Sequence, residues 1–439
     1  MNMAKWVTQM AQPRRVLTAS SVLVLLLLVV LAPGTILAQR TSQLTGTVDL
    51  GGAIDDNPYV NRGGLSEVVT RDFSWALTAY PSVGIISSTA TSKFTLDYTF
   101  GFEQYQSTLD LRSESHRVSG QYEADLNAKW RLRLSDSYTR SPDFTSFLAF
   151  RGLTLTPQGI LFDFAPVAVR RDGFQNNADL GFDWARSSHS SFSFDVRHSY
   201  RQYDDVPGFS SFSDGQTYGA RAEFKHKTSA RMAWTVGYDV NQFNFDDFED
   251  ARNQDVILGV EREVRPSVMV HLKAGPSYAE ALPGRAVSNV IVTGANGAER
   301  EVSESFLGYN VDFGISQSTP STTFGLFFRR DNGMTSGIGS VSTAHTLGVD
   351  FSRRLGRRLT AKLTTMGYDY TSRFDSPYDY RGITSTLQFE FVLTRYAALT
   401  LGGSYHTQES DYVFSDLERR RLFFSLRLSL SDLFKRTVG

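Results

Sequence analysis

Seven histidines (His116, His189, His198, His226, His271, His345 and His406) and a chain without cysteine set the limits of what chemistry this sequence can do. The histidines stand far apart, with no His-x-x-x-His or His-x-His spacing to hold a metal, and thiolate sites are ruled out. No Gly-x-Ser-x-Gly elbow presents a nucleophile. A triad would have to be assembled from distant segments, so no catalytic residue and no cofactor is expected. The triplet Asp55-Asp56-Asn57 offers hard oxygens of the kind calcium takes. It lacks the terminal Glu of an EF-hand, and acidic triplets also form solvated Asx turns. Asp55, Asp56 and Asn57 are therefore only a weak calcium candidate, and no other metal site is expected.

The remaining chemistry is that of spaced charges. Asp97, Asp195, Asp312 and Asp350 carry one sign, and Arg131, Arg133, Arg197, Lys273, Lys362 and Arg427 the other. Each lies within a segment that alternates apolar and polar residues. Phe94, Leu96, Tyr98, Phe100 and Phe102 are separated by Thr95, Asp97, Thr99 and Gly101. Phe192, Phe194 and Val196 alternate with Ser193, Asp195 and Arg197. Val268, Val270, Leu272 and Ala274 alternate with Met269, His271, Lys273 and Gly275. Leu422, Phe424, Leu426, Leu428 and Leu430 alternate with Phe423, Ser425, Arg427, Ser429 and Ser431. Successive side chains of a strand point to opposite faces, so each segment has one apolar face and one polar face.

A soluble sandwich would alternate too, with the apolar face inside. Three features favour a membrane instead. The segments are longer than the roughly 5–6 residues of a soluble strand and suit a tilted crossing. Aromatic residues bracket them, as in Tyr98/Tyr105, Trp130/Tyr138, Tyr200/Tyr203, Trp234/Tyr238 and Tyr368/Tyr370, the expected mark of interfacial girdles. Connections also alternate between short and long.

The short ones are Ser87–Ser92, Asn127–Trp130, Arg186–Ser190, Thr228–Arg231, Val264–Pro266, Ser318–Ser321, Gly356–Arg357 and Thr394–Ala397. The long ones include Asp55–Asp72, Ser141–Gly173, Asp204–Gly215, Asp246–Ala251 and Ala279–Val302. Eight turns and nine loops predict an all-β fold: a transmembrane, antiparallel, up-and-down β-barrel of about 18 strands, or 16 should one weak pair fail. The ten charged residues named above then face the lumen. Both signs occur there, which predicts weak ion selectivity, and barrels of this size leave an aqueous channel unless plugged.

Before the barrel stands a secretory signal. Lys5, Arg14 and Arg15 precede an apolar run from Val22 to Leu31, then Pro33, Gly34 and Ala38. Cleavage is expected after Ala38, with Gly34 as the alternative, leaving residues 39–439 as a single outer-membrane domain. Loss of three of the 45 basic residues leaves 42 Lys+Arg against 46 Asp+Glu, a net charge of −4. That balance provides no footprint for nucleic acid.

The loop Ser141–Gly173 is unusually apolar, carrying Phe144, Phe147, Phe150, Phe162 and Phe164 among other apolar residues. A long loop of that composition needs a surface to bury against. It is expected to constrict the mouth or lie across it as a lid, although burial against neighbouring loops would also satisfy it.

The segment Gly51-Gly52-Ala53-Ile54-Asp55-Asp56-Asn57-Pro58-Tyr59, with Tyr80-Pro81-Ser82-Val83 and Asp136-Ser137-Tyr138-Thr139-Arg140-Ser141-Pro142-Asp143, resembles the β-barrel porin type 2 family of outer-membrane proteins. Ala53 departs from the aromatic residue usual at that place. The resemblance implies an outer-membrane location, and some members of that family accompany exopolysaccharide or exosortase genes. It also directs attention to the C-terminus, where such barrels carry an aromatic residue read by the barrel-assembly machinery; Phe434 is that candidate. The expected function is a passive or gated pore for small hydrophilic solutes or glycans, in contact with outer-membrane lipid. The alternative is a non-conducting scaffold or binding component of an envelope exopolysaccharide export system; an outer-membrane enzyme is a distant third.

Overall fold

The computed structural model describes residues 41–56, 73–106, 112–141, 173–203, 214–245, 250–282, 305–335, 340–372, 380–410 and 417–430. These comprise eighteen strands: β1 (Thr41–Asp55), β2 (Ser74–Ser88), β3 (Ser92–Gln106), β4 (Arg112–Asp125), β5 (Trp130–Arg140) and β6 (Gly173–Ala185). They continue as β7 (Ser190–Tyr203), β8 (Gly215–Ser229), β9 (Met232–Phe245), β10 (Ala251–Arg265), β11 (Val268–Ala281) and β12 (Ser305–Ser318). The last six are β13 (Thr322–Thr335), β14 (Ser340–Arg354), β15 (Leu359–Ser372), β16 (Tyr380–Thr394), β17 (Ala397–Ser410) and β18 (Leu417–Ser429). Every strand pairs antiparallel with its neighbours in sequence, and β1 pairs with β18, so one sheet closes on itself. The count is eighteen, not the fallback of sixteen.

The eight short connections fall at one end, where the sequence places them. One of them, Pro266-Ser267 between β10 and β11, turns with Ser267 at φ 80°. That is the second central position of a type II turn, with proline in its favoured place before it.

Which face meets lipid follows from exposure. Leu422 and Phe424 are 65% and 53% exposed, whereas Arg421 and Phe423, which alternate with them, are 3% and 5% exposed. Leu272, Phe194, Leu50, Leu258, Leu347, Leu387 and Leu401 are likewise exposed on outward positions. In water such a belt would be an extreme apolar patch; around a closed barrel it is the lipid-facing band of an outer-membrane protein. At the turn end Trp130, Trp184, Phe192 and Phe224 stand in register across β5–β8, with Trp130 and Trp184 stacked at 5.8 Å. At the loop end Tyr138, Phe174 and Tyr200 pack at 5.8 and 5.4 Å. Eight residues separate Trp130 from Tyr138, about 26 Å along a strand, which a tilt brings near the height of an outer-membrane apolar band.

Three expected girdle residues among those with described side chains belong elsewhere. Tyr105, Tyr368 and Tyr370 are buried because they share the inward parity of Asp97 on β3 and Lys362 on β15. Spacing along the chain selects aromatics; only parity says which face they serve.

Candidate functional site

Strand parity and register place Asp97, Arg131, Arg133, Asp195, Arg197, Lys273, Asp312, Asp350, Lys362 and Arg427 on the inner face. Strands up to three places apart around the wall bring opposite charges together there. Arg133 donates to Asp183 at 2.9 Å and to Asp195 at 2.8 Å, and Arg197 to Asp239 at 2.6 Å. Lys273 meets Glu223 at 3.2 Å and His271 meets Asp312 at 3.1 Å. Lys362 donates to Glu390 at 3.0 Å, Thr364 to Asp350 at 2.9 Å, and Arg427 to Asp49 at 2.8 Å. Arg131 pairs with Asp125 at 2.8 Å near the turn end. The described lining is therefore largely a ladder of paired charges, and among the described residues both signs occur along the wall.

A second cluster seals the barrel. Asp55 accepts from Arg419 at 2.5 and 3.0 Å, and from the Tyr105 hydroxyl at 3.3 Å. Arg421 donates to Glu103 at 2.9 Å, and the Tyr80 hydroxyl donates to the same carboxylate. All six side chains are buried. They join β18, β1, β2 and β3 across the junction where the first and last strands meet. Asp56 continues the latch: its Oδ1 accepts from the Arg420 amide at 2.6 Å, and its amide donates to the Arg420 carbonyl at 3.1 Å. The calcium candidate is thus corrected at its two described members, whose carboxylates serve β18. Asn57 lies outside the described residues, among which no cluster of His, Asp or Glu is disposed to hold a metal.

The feature that alternation did not announce lies on β13 and β14. The ladder between β12 and β13 runs from Ser318↔Thr323 to Val311↔Arg330 and stops. Beyond it, β13 leaves the wall and crosses the lumen side of β12 and β11. Asn332 Nδ2 donates to Ser277 Oγ on β11 at 2.7 Å, and the Asn332 backbone carbonyl accepts from Asn253 Nδ2 on β10 at 3.2 Å. A Cβ built on Gly308 of β12 would stand 3.5 Å from Asn332 Nδ2, an ordinary contact, and 2.5 Å from the Phe306 ring, so the crossing strand passes close over this glycine while Phe306 occupies the space its side chain would take. Thr343 of β14 donates to Asn332 Oδ1 at 2.8 Å, and Ser277 to Asn253 Oδ1 at 3.0 Å. Asn253, Ser277 and Thr343 are fully buried. At the point of departure Arg330 donates to the Tyr309 carbonyl, with its guanidinium 3.7 Å over the Tyr309 ring. The loop-end halves of β13 and β14 are therefore folded into the barrel and reduce its bore from one side.

A sign of this was present in the sequence. The outward positions of β13 read Phe324, Leu326, Phe328 and then Arg330 and Asn332; those of β14 read Phe351, Val349, Leu347 and then His345 and Thr343. Polar residues replace apolar ones where the face leaves lipid and meets the inner wall.

Several expectations fall outside the described residues: the signal segment, the loop phenylalanines Phe144, Phe147, Phe150, Phe162 and Phe164, and Phe434. The neck of that loop is described, and is held by the Ser141 amide donating to the Gly173 carbonyl at 3.1 Å.

No family model matches the chain, and no curated protein matches it. Solved structures with a similar build include OpdK of Pseudomonas aeruginosa with vanillate, at 11% identity, 88% of this chain, 98% of that chain and a TM-score of 0.44. OccK2 (OpdF) of the same organism, in complex with glucuronate, is 12% identical over 89% and 98%, with a TM-score of 0.43. The siderophore receptor PirA, also from P. aeruginosa, is 12% identical over 88% and 80%, with a TM-score of 0.41. Likeness at that level is one of general barrel build. Neither a substrate nor membership of the porin type 2 family follows from it.

Proposed function

We propose that this barrel is a porin-like channel, passive or gated, for small hydrophilic solutes or glycans, narrowed at its loop end. The observation that carries the reading is the inner face: a closed sheet of eighteen strands lined by paired charges, hydroxyls and amides, at a size where an unplugged barrel holds water. Two elements narrow it in this reading. One is the inward fold of β13 and β14; the other is the apolar loop 141–173, whose phenylalanines need a surface to bury against. Mixed charge along the wall implies weak ion preference.

Planar-bilayer recording tests the proposal. The intact protein should give small or infrequent conductance steps with little selectivity, and deletion of Phe147–Phe164 should enlarge them while assembly persists. If neither form conducts while both remain folded, the channel reading fails. A scaffold or binding role in exopolysaccharide export would then replace it.

A further inference from the structure

The inward fold of β13 and β14 has a counterpart on the other side of the wall. Where the sheet is drawn into the lumen, its lipid-facing surface is drawn in as well, leaving a groove of about 420 Å³ over β13–β17. That volume is within the roughly 300–1,000 Å³ of small-ligand sites. Its chemistry is ordered in two registered rows. Toward the loop end run Arg330, His345, Asp369, Arg381 and Glu409, one residue from each of five successive strands. One layer deeper, on the same face, run Phe328, Leu347, Gly367, Ile383 and Thr407.

The upper row is a chain of alternating charge. Arg330 Nε donates to His345 Nε2 at 3.1 Å, which leaves His345 Nδ1 directed at Asp369, 3.6 Å away. Arg381 donates to Glu409 at 2.8 Å. Arg381, Glu409 and Asp369 are well exposed, as are Leu347 and Ile383 beneath them. Gly367 forms the floor between Leu347 and Ile383. A Cβ placed there would meet only the Gly382 carbonyl, at 3.9 Å.

We infer that this groove is a binding site for one membrane lipid of the outer leaflet, its acyl chain lying over Gly367 and its head group resting on the row from His345 to Glu409. The inference depends on the outward face being lipid-facing, as read above. A charged row directly above an apolar trough reproduces the polarity gradient of a lipid between head and tail. Its alternating signs suit a head group presenting both donors and acceptors better than a bare anion. A flat apolar wall meets lipid everywhere, but a recess with a hydrogen-bonding rim holds one molecule in place.

Gly367→Trp is the probing variant, because it fills the groove from a position where added atoms meet open space. Leu258→Trp, on the exposed face of β10, is the control. Each protein is assembled in nanodiscs of phosphatidylethanolamine and phosphatidylglycerol, released into mild detergent and examined by native mass spectrometry. The expected result is one retained lipid on the unaltered protein and on Leu258→Trp, and at least a tenfold lower occupancy on Gly367→Trp. Equal retention by all three, or none by the unaltered barrel, overturns the site. A dimer that Gly367→Trp dissociates would assign the groove to a second copy and also overturn it. Failure of the unaltered protein to enter nanodiscs at all would instead defeat the membrane reading on which the site depends.

Discussion

Replacing Asn332 by alanine should release the inward fold of β13. Its side chain makes two hydrogen bonds in a buried place, to Ser277 Oγ at 2.7 Å and from Thr343 Oγ1 at 2.8 Å. Each such bond contributes about 0.5–1.5 kcal/mol net, so the tucked arrangement should lose about 2–3 kcal/mol including the unfilled space. The competing arrangement is at hand: β13 beyond Arg330 can extend its ladder along β12 from Tyr309 to Ser305, regaining backbone hydrogen bonds that the tuck forgoes. Since about 1.4 kcal/mol is tenfold in an equilibrium, the balance should move by about 30- to 150-fold toward the unfurled wall. Two assays read this. In planar bilayers Asn332→Ala should show larger or more frequent openings. Because the chain has no cysteine, Ala279→Cys supplies a single thiol at a fully buried, inward-facing position two residues from Ser277 on β11, which a membrane-impermeant maleimide should label faster when Asn332→Ala is also present. Unchanged conductance and unchanged labelling in a variant that assembles normally would refute the idea that these contacts hold the constriction.

Facing can be tested on β7. Phe194→Arg should cost about 2–4 kcal/mol by placing a charge against hydrocarbon, whereas Ser193→Arg, opposite Asp183 and Glu223 on the inner face, should assemble with little loss. Similar damage from both, in a heat-modifiability assay, would mean that the faces are inverted. Asp195 is a poor place for this comparison, since Arg133 already donates to it. At the closing junction Arg421→Met should destabilise by about 3–5 kcal/mol, because it strips Glu103 of its buried cation, read as a lower denaturant midpoint. Adding Glu103→Gln should restore part of the loss; if the double variant is as weak as the two singles combined, the residues are not acting as a pair.

Much of this was legible from local pattern. Period-two alternation gave the strands, tight-turn composition gave their boundaries at one end, and parity placed Asp97, Arg133, Lys273 and Arg427 inside. All three are properties of a short stretch of chain, which is why a sequence displays them. The tuck is different. It requires Asn332 on β13 to meet Asn253 on β10 and Ser277 on β11, strands that a regular barrel would keep apart from β13. Each half of that contact is visible alone, as polar residues at outward positions of β13 and β14 and as small or amide residues at inward positions of β10–β12. Nothing local says that one half answers the other. The same holds for Asp55, whose family-like motif invited a cation when its partner Arg419 lay 364 residues away.

That latch also does something alternation cannot. Sliding β18 by one residue against β1 would turn every apolar side chain inward, so the lipid-facing pattern alone forbids it. A slip of two residues preserves both faces, and no pattern of apolar and polar residues opposes it. In the observed register Asp49 faces Arg427 and Asp55 faces Arg421, with Arg419 reaching back to Asp55 and Arg421 to Glu103. A slip of two residues one way would set Asp55 opposite Phe423 and Asp49 opposite Ser429; the other way would keep an arginine, Arg419, opposite Asp55 but set Asp49 opposite Ser425. Either shift leaves the buried Asp49 carboxylate without Arg427, which is costly away from water. The last strand is thereby fixed against the first at the single junction that no connecting turn holds. Buried charge at the junction specifies closure, and paired charge of both signs lines the rest of the described wall.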